Sequence, residues 1–371
     1  MCAMIAGHAT AEGTARYVGH FADRLPAEHF RALGDTRTSS LGLGTYLGRE
    51  DDATDALYRR AVDRALERGV NVFDTAVNYR HQRSERAVGA ALAGAIRAGT
   101  IRRDEVIVAT KGGYLAFDGA VPPDPRAYFM ETYVRPGIIQ SGEMVGSHCM
   151  APRYLRDQLD RSRVNLGLDT IDVYYPHNPE SQLDEVTPEE FRARVRAAFA
   201  ALEEAASEGK LRMYGTATWN GYRVDPGTPG ALSLPEMIET AREVGGPDHR
   251  FRVIQLPYNL GMPEAFTRAN HAADGAFFST LDVARYHGLY VMASAPILQG
   301  RLAKGLPAAI GDLVPGLTTD AQRAIQFVRS TPGIGTALVG MKSVAHVDEN
   351  AAVAALAPLA GEQVSRLFTS A

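Results

Sequence analysis

Four polar side chains that can hold or move protons lie at the ends of short apolar runs. Asp74 and Tyr79 belong to the run NVFDTAVNY, Lys111 to VIVATKGG and His177 to DVYYPHNPE. A carboxylate, a phenol, an ammonium and an imidazole are together suited to proton transfer. These residues are distant along the chain. The hypothesis therefore requires a fold that brings the ends of three strands to one pocket.

The elements that can do this are short strands that alternate with helical patterns. Such alternation predicts parallel βαβ units. Eight units favour an α/β fold, a (β/α)8 TIM barrel, over an open doubly wound sheet, because no G-x-G-x-x-G follows a strand. Capping boxes are predicted at Thr187 with Glu190, at Ser233 with Glu236 and at Thr319 with Gln322, and helix ends at Gly69 and Gly209. The predicted strands are residues 40–46, 71–76, 106–111, 171–177, 212–218, 252–257, 290–296 and 336–341.

Three segments exceed ordinary connections. Residues 1–30 form an N-terminal extension, with a helix expected near residues 15–25, that would cap the barrel base or pack on a neighbour. Residues 31–371 form a single barrel domain. The long loops 112–150 and 219–232 are expected to build walls of the active site, because βα loops carry function in barrels.

Composition excludes several classes of protein. The 371 residues are 45% hydrophobic and 22% charged, with 39 basic and 43 acidic residues and a formal net charge of -4. We therefore expect no nucleic-acid partner and no membrane patch. The two cysteines, Cys2 and Cys149, indicate neither a disulfide framework nor a zinc site. No signal peptide and no membrane-spanning run are recognisable, so a cytoplasmic protein is expected. The oligomeric state stays open.

The four residues suggest a division of labour at a common barrel mouth. Lowering a phenol pKa from about 10 by roughly 2 to 3 units requires about 3 to 4 kcal/mol. An ammonium about 4 Å away supplies a comparable energy at an effective dielectric constant near 20. We therefore predict that Lys111 lowers the pKa of Tyr79, that Asp74 keeps Lys111 charged, and that His177 donates to a substrate carbonyl. Alone, each residue has an ordinary structural explanation, for example Asp74 in a turn.

Seven motifs, covering the chain from about residue 31 to 355, resemble those of the aldo-keto reductase superfamily. The resemblance implies hydride transfer between C4 of NADPH and an aldehyde or ketone, with interconversion of the carbonyl and its alcohol. It implies that Tyr79 is the general acid or base, supported by Asp74, Lys111 and His177. The motifs are FDTAVNY (73–79), ATKGG (109–113), DVYYPHNP (172–179), EGKLRMYGTAT (208–218), VIQLPYN (253–259), VMASAPILQGRL (291–302) and LVGMKSVAHVDEN (338–350).

The resemblance also implies a cofactor shell that departs from the family at three positions. Ala217 stands where a serine usually helps to hold the carboxamide, Ser294 replaces the aromatic residue that stacks on nicotinamide, with Trp219 as the nearest substitute, and His346 replaces an arginine or glutamine. Lys342, at a helix start that suits a 2'-phosphate, favours NADPH, with NADH as the alternative. The implied cofactor-binding residues are Thr218, Gln255, Ser294, Pro296, Ile297, Gln299, Gly300, Arg301, Leu302, Gly340, Lys342, Ser343, His346, Glu349 and Asn350.

Substrate contacts are expected from Tyr46, Tyr114, Asn178 and Trp219, with the loop 112–150 setting specificity. Asn178 stands where the family commonly has tryptophan, which makes the pocket more polar. The sequence leaves two other functions open. One is a redox-silent nicotinamide-binding regulatory or accessory protein. The other, metal-dependent hydrolysis, is poorly supported because no His/Asp cluster has ligand spacing, and no metal is expected.

Overall fold

The computed structural model describes residues 4–273 and 275–369 and contains a closed barrel of eight parallel strands. Each barrel strand pairs with the next one along the chain, and the eighth pairs with the first. The predicted barrel is therefore confirmed, and every predicted strand is present to within a few residues at its ends. The strands are Leu41–Gly44, Val72–Asp74, Ile107–Gly112, Ile171–Pro176, Leu211–Ala217, Phe251–Pro257, Tyr290–Ser294 and Thr336–Gly340.

The barrel separates two apolar cores. Side chains alternate along a strand, so one set fills the barrel and the other packs against the surrounding helices. Buried residues from seven strands fill the interior, namely Val72, Ile107, Ala109, Val173, Tyr175, Ala217, Val253, Tyr290, Met292 and Leu338.

Helices surround the barrel, and polar residues cap several of their amino ends. The caps predicted at Thr187, Ser233 and Thr319 all accept a backbone N–H three residues on. Of these three, only Thr319 forms the full capping box with Gln322. The box predicted at Thr187 is wrong, because the Glu190 carboxylate pairs with Arg194 instead. The helices are Ala11–Gly19, Asp52–Glu67, Arg83–Arg97, Pro125–Phe129, Pro152–Leu166, Pro188–Ser207, Leu234–Gly245, Glu264–Thr267, Thr280–Tyr286, Ala308–Leu313, Asp320–Ser330, Val344–Ala351 and Gly361–Thr369.

The N-terminal residues that are described pack on the barrel base. The backbone N–H of Ala9 donates to Asp172 Oδ1 over 2.7 Å, at the start of the fourth strand. In the helix Ala11–Gly19, Arg16 pairs with Asp104 and Glu105. A hairpin, Phe30–Leu33 with Thr36–Ser39, then leads into the first barrel strand.

Two loops carry secondary structure of their own. Residues 112–150 contain a short helix, a π-helical turn at Met130–Val134 and a hairpin that pairs Met144–Val145 with His148–Cys149. A second hairpin, Ala269–Ala273 with Ala276–Ser279, follows the sixth strand and was not predicted. Both hairpins lie in βα connections, at the carboxyl ends of the strands.

Within the described part of the chain, no helix is long and apolar enough to cross a membrane. The same residues contain no group of three or more His, Cys, Asp or Glu side chains that could hold a metal ion. Cys149 is buried as a free thiol, and Cys2 lies outside the described residues.

Candidate active site

Asp74 and Lys111 form a buried ion pair at the carboxyl ends of the second and third strands. In the strand register Asp74 lies opposite Ala109, so Lys111, two residues further on, points to the same interior face. Lys111 Nζ donates to Asp74 Oδ1 over 2.6 Å and to the Thr75 carbonyl over 2.8 Å. Burial lowers the pKa of Lys111, and the Asp74 carboxylate opposes this change. Gln255 donates to the other carboxylate oxygen over 2.8 Å, so both oxygens of Asp74 are engaged.

Tyr79 lies directly beside this pair. The Lys111 ammonium is 4.9 Å from the centre of its ring, and the ring of Tyr46 is 5.0 Å away at a steep angle. Burial raises the pKa of Tyr79 well above 10, and the Asp74 carboxylate adds to the rise. The predicted lowering by Lys111 is therefore wrong for this structure. The ammonium is paired with Asp74, and a neutral pair cannot stabilise a phenolate as a free cation would.

His177 faces Tyr79 from the end of the fourth strand. It follows the interior residue Tyr175 by two positions, and its ring centre is 5.8 Å from that of Tyr79. Burial lowers the pKa of His177 well below 6.5, and the charge of Lys111 adds to this effect. Its Nδ1 atom is buried and has no hydrogen-bond partner. A neutral imidazole has one N–H, which it can donate to a carbonyl oxygen in the cleft.

The backbone directly after Tyr79 is strained. Arg80, His81 and Gln82 all have positive φ, at 50°, 53° and 72°. For residues other than glycine this conformation costs about 1 to 2 kcal/mol each. Arg80 donates to the Arg49 carbonyl over 2.7 Å and pairs with Asp55. Side-chain anchors thus hold the turn that carries Tyr79 in one conformation.

A hydrogen-bond chain from the loop 112–150 holds the backbone of His177. Arg194 can only donate, so its bond to Gln182 Oε1 fixes the orientation of that amide. Gln182 Nε2 then donates to His148 Nδ1 over 2.8 Å. His148 Nε2 must therefore carry the proton, and it donates to the His177 carbonyl over 2.8 Å. Gly113 makes room for this ring, because a Cβ there would lie 2.8 Å from His148 Nε2.

The turn Pro179–Asp184 joins two walls of the site. One oxygen of buried Glu180 accepts the backbone N–H groups of Trp219, Asn220 and Gly221, at 2.7, 3.1 and 3.3 Å. In the same turn Ser181 contacts the hydroxyl of Tyr114 over 2.9 Å. The third and fifth βα loops are therefore tied to the segment that follows His177.

These residues border one large cleft of about 860 Å³. Asp74, Tyr79 and His177 line it, whereas Lys111 lies behind them, fully buried. All four predicted substrate-contact residues line the cleft. Two of them, Tyr46 and Trp219, are 56% and 38% exposed. The predicted substrate-contact residues are Tyr46, Tyr114, Asn178 and Trp219.

Most residues predicted to bind the cofactor line the same cleft. Arg301, Leu302 and Ser343 do not. The Ser343 hydroxyl caps the helix Val344–Ala351 by accepting the His346 N–H over 3.3 Å. The predicted residues that do line it are Thr218, Gln255, Ser294, Pro296, Ile297, Gln299, Gly300, Gly340, Lys342, His346, Glu349 and Asn350.

Among the residues predicted to bind the cofactor, two buried side-chain oxygen atoms lack a hydrogen-bond partner. They are Thr218 Oγ1, after the fifth strand, and Asn350 Oδ1, in the helix after the eighth strand. Buried polar atoms are normally paired, so these atoms indicate where a ligand would complete the site. A nicotinamide dinucleotide carries an amide and a heteroaromatic base, and both groups can form hydrogen bonds with such atoms.

Several residues that line the cleft were not predicted from the sequence. Asn78 could have been predicted from its position directly before Tyr79. Lys304 could have been predicted because it closely follows the segment 296–302. Tyr58 had none, because it lies within the helix Asp52–Glu67 and reaches the cleft only through packing. The missed residues are Gly44, Thr45, Leu47, Tyr58, Asn78, Ala295, Ala303, Lys304 and Leu338, and the departure Ala217 also lines the cleft.

The chain is similar to proteins of known family. A family model described as the aldo/keto reductase family matches residues 40–225, half of the chain. An L-galactose dehydrogenase from Arabidopsis thaliana is 26% identical over 359 residues, which cover 90% of each protein. An L-glyceraldehyde 3-phosphate reductase from Escherichia coli K12 is 28% identical over 316 residues, covering 82% of this chain and 69% of that protein.

Solved structures share the fold. An aldo/keto reductase from Klebsiella pneumoniae, determined in complex with NADP and acetate, superposes with a TM-score of 0.62. The identity is 21%, and the match covers 92% of this chain and 95% of the other. At this level of identity, the similarity is one of fold.

Proposed function

This chain belongs to the aldo/keto reductase family of oxidoreductases, and we propose that it reduces an aldehyde or ketone with NADPH, using Tyr79 as the proton donor. The observation that carries the proposal is the cluster of Tyr79, His177 and the Asp74–Lys111 pair at the floor of one cleft. The proposed direction is reduction, because a phenol with a raised pKa keeps its proton until an alkoxide needs it.

His177 and Lys111 have different proposed tasks. The neutral His177 imidazole donates a hydrogen bond to the carbonyl oxygen and orients it toward the Tyr79 hydroxyl. Lys111 does not touch the substrate. Together with Asp74 it forms a rigid ion pair, without net charge, beneath the phenol. This arrangement holds the proton at Tyr79 Oη through neutral pH.

The cofactor is proposed from the chemistry of the cleft. Bound NADPH supplies the hydride. Thr218 and Gln255 would hold its carboxamide, and Asn350 its adenine, since Thr218 Oγ1 and Asn350 Oδ1 are buried without partners. Lys342 and His346 would meet a 2'-phosphate at the start of the helix Val344–Ala351, where the helix dipole favours an anion. The Klebsiella pneumoniae structure, which contains NADP, supports this choice.

A titration followed by turnover tests the proposal. The protein is titrated with NADPH and with NADH, and the better cofactor is then mixed with a panel of aldehydes and ketones. We expect tighter binding of NADPH and saturable cofactor oxidation with at least one carbonyl. Tight binding without turnover across the panel would instead support the redox-silent alternative, which the departures at Ala217, Ser294 and His346 had left open.

A further inference from the structure

The loop after the first strand, residues 45–51, forms one wall of the cleft. Thr45, Tyr46 and Leu47 line the cleft, and the ring of Tyr46 lies 5.0 Å from that of Tyr79. Tyr46 is 56% exposed, so packing covers less than half of its side chain. The contacts that fix this loop therefore also fix the ring that borders the phenol of Tyr79.

Arg80, directly after Tyr79, binds this loop where the loop ends. Its Nε donates to the Arg49 carbonyl over 2.7 Å. Its Nη2 donates to the Asp51 carbonyl over 3.3 Å and pairs with the Asp55 carboxylate in the helix that follows. The Arg80 side chain is only 2% exposed, so little water competes for these bonds. One guanidinium group thus joins the turn that carries Tyr79 to the wall of the cleft.

Tyr58 supports the same loop from the helix Asp52–Glu67. The guanidinium of Arg80 lies over the Tyr58 ring, 5.4 Å from its centre, and the Tyr58 hydroxyl donates to the Leu47 carbonyl. Gly48 has φ 136°, and a Cβ there would lie 2.6 Å from a methyl group of the helix. The loop is therefore held by side chains on both sides of a close approach to the helix.

Position 80 has a conformation that glycine would adopt with less strain. Its φ is 50°, in the left-handed region that a residue with a Cβ atom occupies at a cost. The main chain alone therefore gives no reason for an arginine at this position. The reason lies in the side chain, which binds the loop after the first strand.

We propose that Arg80 is a positioning residue for carbonyl reduction, which holds the Tyr46 ring and the Tyr79 phenol in one fixed arrangement. This inference rests on the proposed function and adds a residue to it. Arg80 does not line the cleft, so it acts through the two tyrosines and touches neither substrate nor cofactor. A displacement of about 1 Å at the reacting groups can lower a rate by about 100-fold.

Arg83 offers a matched control for the test. It binds the other oxygen of the same carboxylate, Asp55 Oδ2, over 2.6 Å, and it also pairs with Asp52. Among the described residues, its side chain makes no hydrogen bond to the loop 45–51. Arg80→Ala and Arg83→Ala therefore each remove an ion pair with Asp55, but only Arg80→Ala releases the loop.

The measurements are kcat and KM for the best carbonyl of the panel, and NADPH affinity by fluorescence titration, for the wild type and both alanine variants. We expect Arg80→Ala to lower kcat by about 10- to 100-fold and to keep NADPH affinity within about threefold. Arg83→Ala should keep kcat within about twofold of the wild-type value. A kcat of Arg80→Ala near that of wild type, or an equal fall in Arg83→Ala, would overturn the inference.

Added guanidinium chloride at millimolar concentration separates positioning from folding. The free cation can occupy the space that Arg80→Ala leaves and donate to the same carbonyl groups. We expect it to raise the kcat of Arg80→Ala severalfold and to leave that of Arg83→Ala unchanged. A protein that had only lost stability would not gain activity from a denaturing cation. An equal response of both variants would contradict the positioning role.

The substitutions with lysine keep the test decisive if Arg80→Ala does not fold, as judged by circular dichroism. An ammonium group retains the charge but lacks the planar set of donors, so Arg80→Lys should lose kcat and Arg83→Lys should not. Equal kcat values in the two lysine variants would overturn the inference, whereas turnover by the wild type would leave the proposed function standing. If the wild type reduces no carbonyl of the panel, the proposed function fails and this inference with it.

Discussion

At the residue scale, Asp74 and Lys111 each compensate the buried charge of the other. Removing one partner of a buried pair leaves an uncompensated charge, which costs about 3 to 5 kcal/mol. We expect Lys111→Met to lower the free energy of unfolding by this amount in urea denaturation. The double variant Asp74→Asn/Lys111→Met should recover much of the loss, because neither charge remains. Equal losses in the single and double variants would show that the pair is not coupled.

The protonation states of Tyr79 and His177 predict the pH dependence of reduction. Burial raises the pKa of Tyr79 well above 10 and lowers that of His177 well below 6.5. The phenol is therefore protonated and the imidazole neutral at every pH between these limits. We expect kcat/KM for carbonyl reduction to be flat from about pH 7 to about pH 9. A fall with a midpoint near pH 8 that disappears in a Tyr79 variant would instead support lowering of the phenol pKa by Lys111.

At the scale of elements, the hairpin that carries His148 supports the site from outside. His148 donates to the His177 carbonyl and is itself oriented by Gln182. We expect His148→Ala to lower kcat by about tenfold, since misplacement near the chemistry is costly, with little change in NADPH affinity. His148→Gln should keep most of the activity, because a glutamine amide can donate from the position of Nε2. Equal activity in both variants and the wild type would show that His148 does not position His177.

The barrel strands were predictable from sequence, and the turns around the site were not. Strand recurrence and apolar patterning depend on local composition, so all eight barrel strands were found. The turn of residues 80–82 contains no glycine, so its sequence does not indicate positive φ angles. Contacts with residues distant in the sequence, such as Asp55, hold this conformation instead. Such positive φ angles depend on tertiary contacts that a local pattern does not contain. The hairpin of residues 269–279 is a different case, because its sequence contains the turn signal Asp274-Gly275, which the prediction of strands did not use.

The dependence on tertiary contacts also explains which site residues were predicted from the sequence. Asp74, Lys111 and His177 were recognisable because they end buried strands. Tyr58 and Leu47 reach the cleft through helix and loop packing, which their sequence neighbours do not reveal. The direction of the Tyr79 pKa shift was missed for another reason. The sequence had suggested that Lys111 interacts with both Asp74 and Tyr79. It could not show that burial of the phenol and the nearby Asp74 carboxylate raise the pKa of Tyr79 despite the ammonium.

At the scale of the whole molecule, buried neutral histidines predict sensitivity to acid. Burial lowers the pKa of His29 to about 3 and those of His148 and His271 to about 4. Unfolding restores a pKa near 6.5, so the unfolded chain binds more protons below that pH. The stability from these groups is present above pH 6.5 and is lost as the pH falls toward 4.

We expect each of these three histidines to lower the free energy of unfolding by about 1.4 kcal/mol when the pH falls from 7.5 to about 5.5. Urea denaturation at the two pH values measures the total. Substituting His271 with glutamine should reduce the pH dependence by one histidine's share, whatever it does to stability at pH 7.5. A stability that does not change between these pH values would contradict the burial of neutral rings.

In the proposed reaction the Tyr79 hydroxyl delivers the proton to the carbonyl oxygen. This role is tested by the rate of NADPH oxidation by wild type and Tyr79→Phe with the best carbonyl of the panel, beside a fluorescence titration of NADPH binding to both. Removal of a general acid should lower kcat by about 10²- to 10⁴-fold and leave NADPH affinity within a few fold. A kcat of Tyr79→Phe within a few fold of the wild-type value would show that the Tyr79 hydroxyl does not deliver the proton.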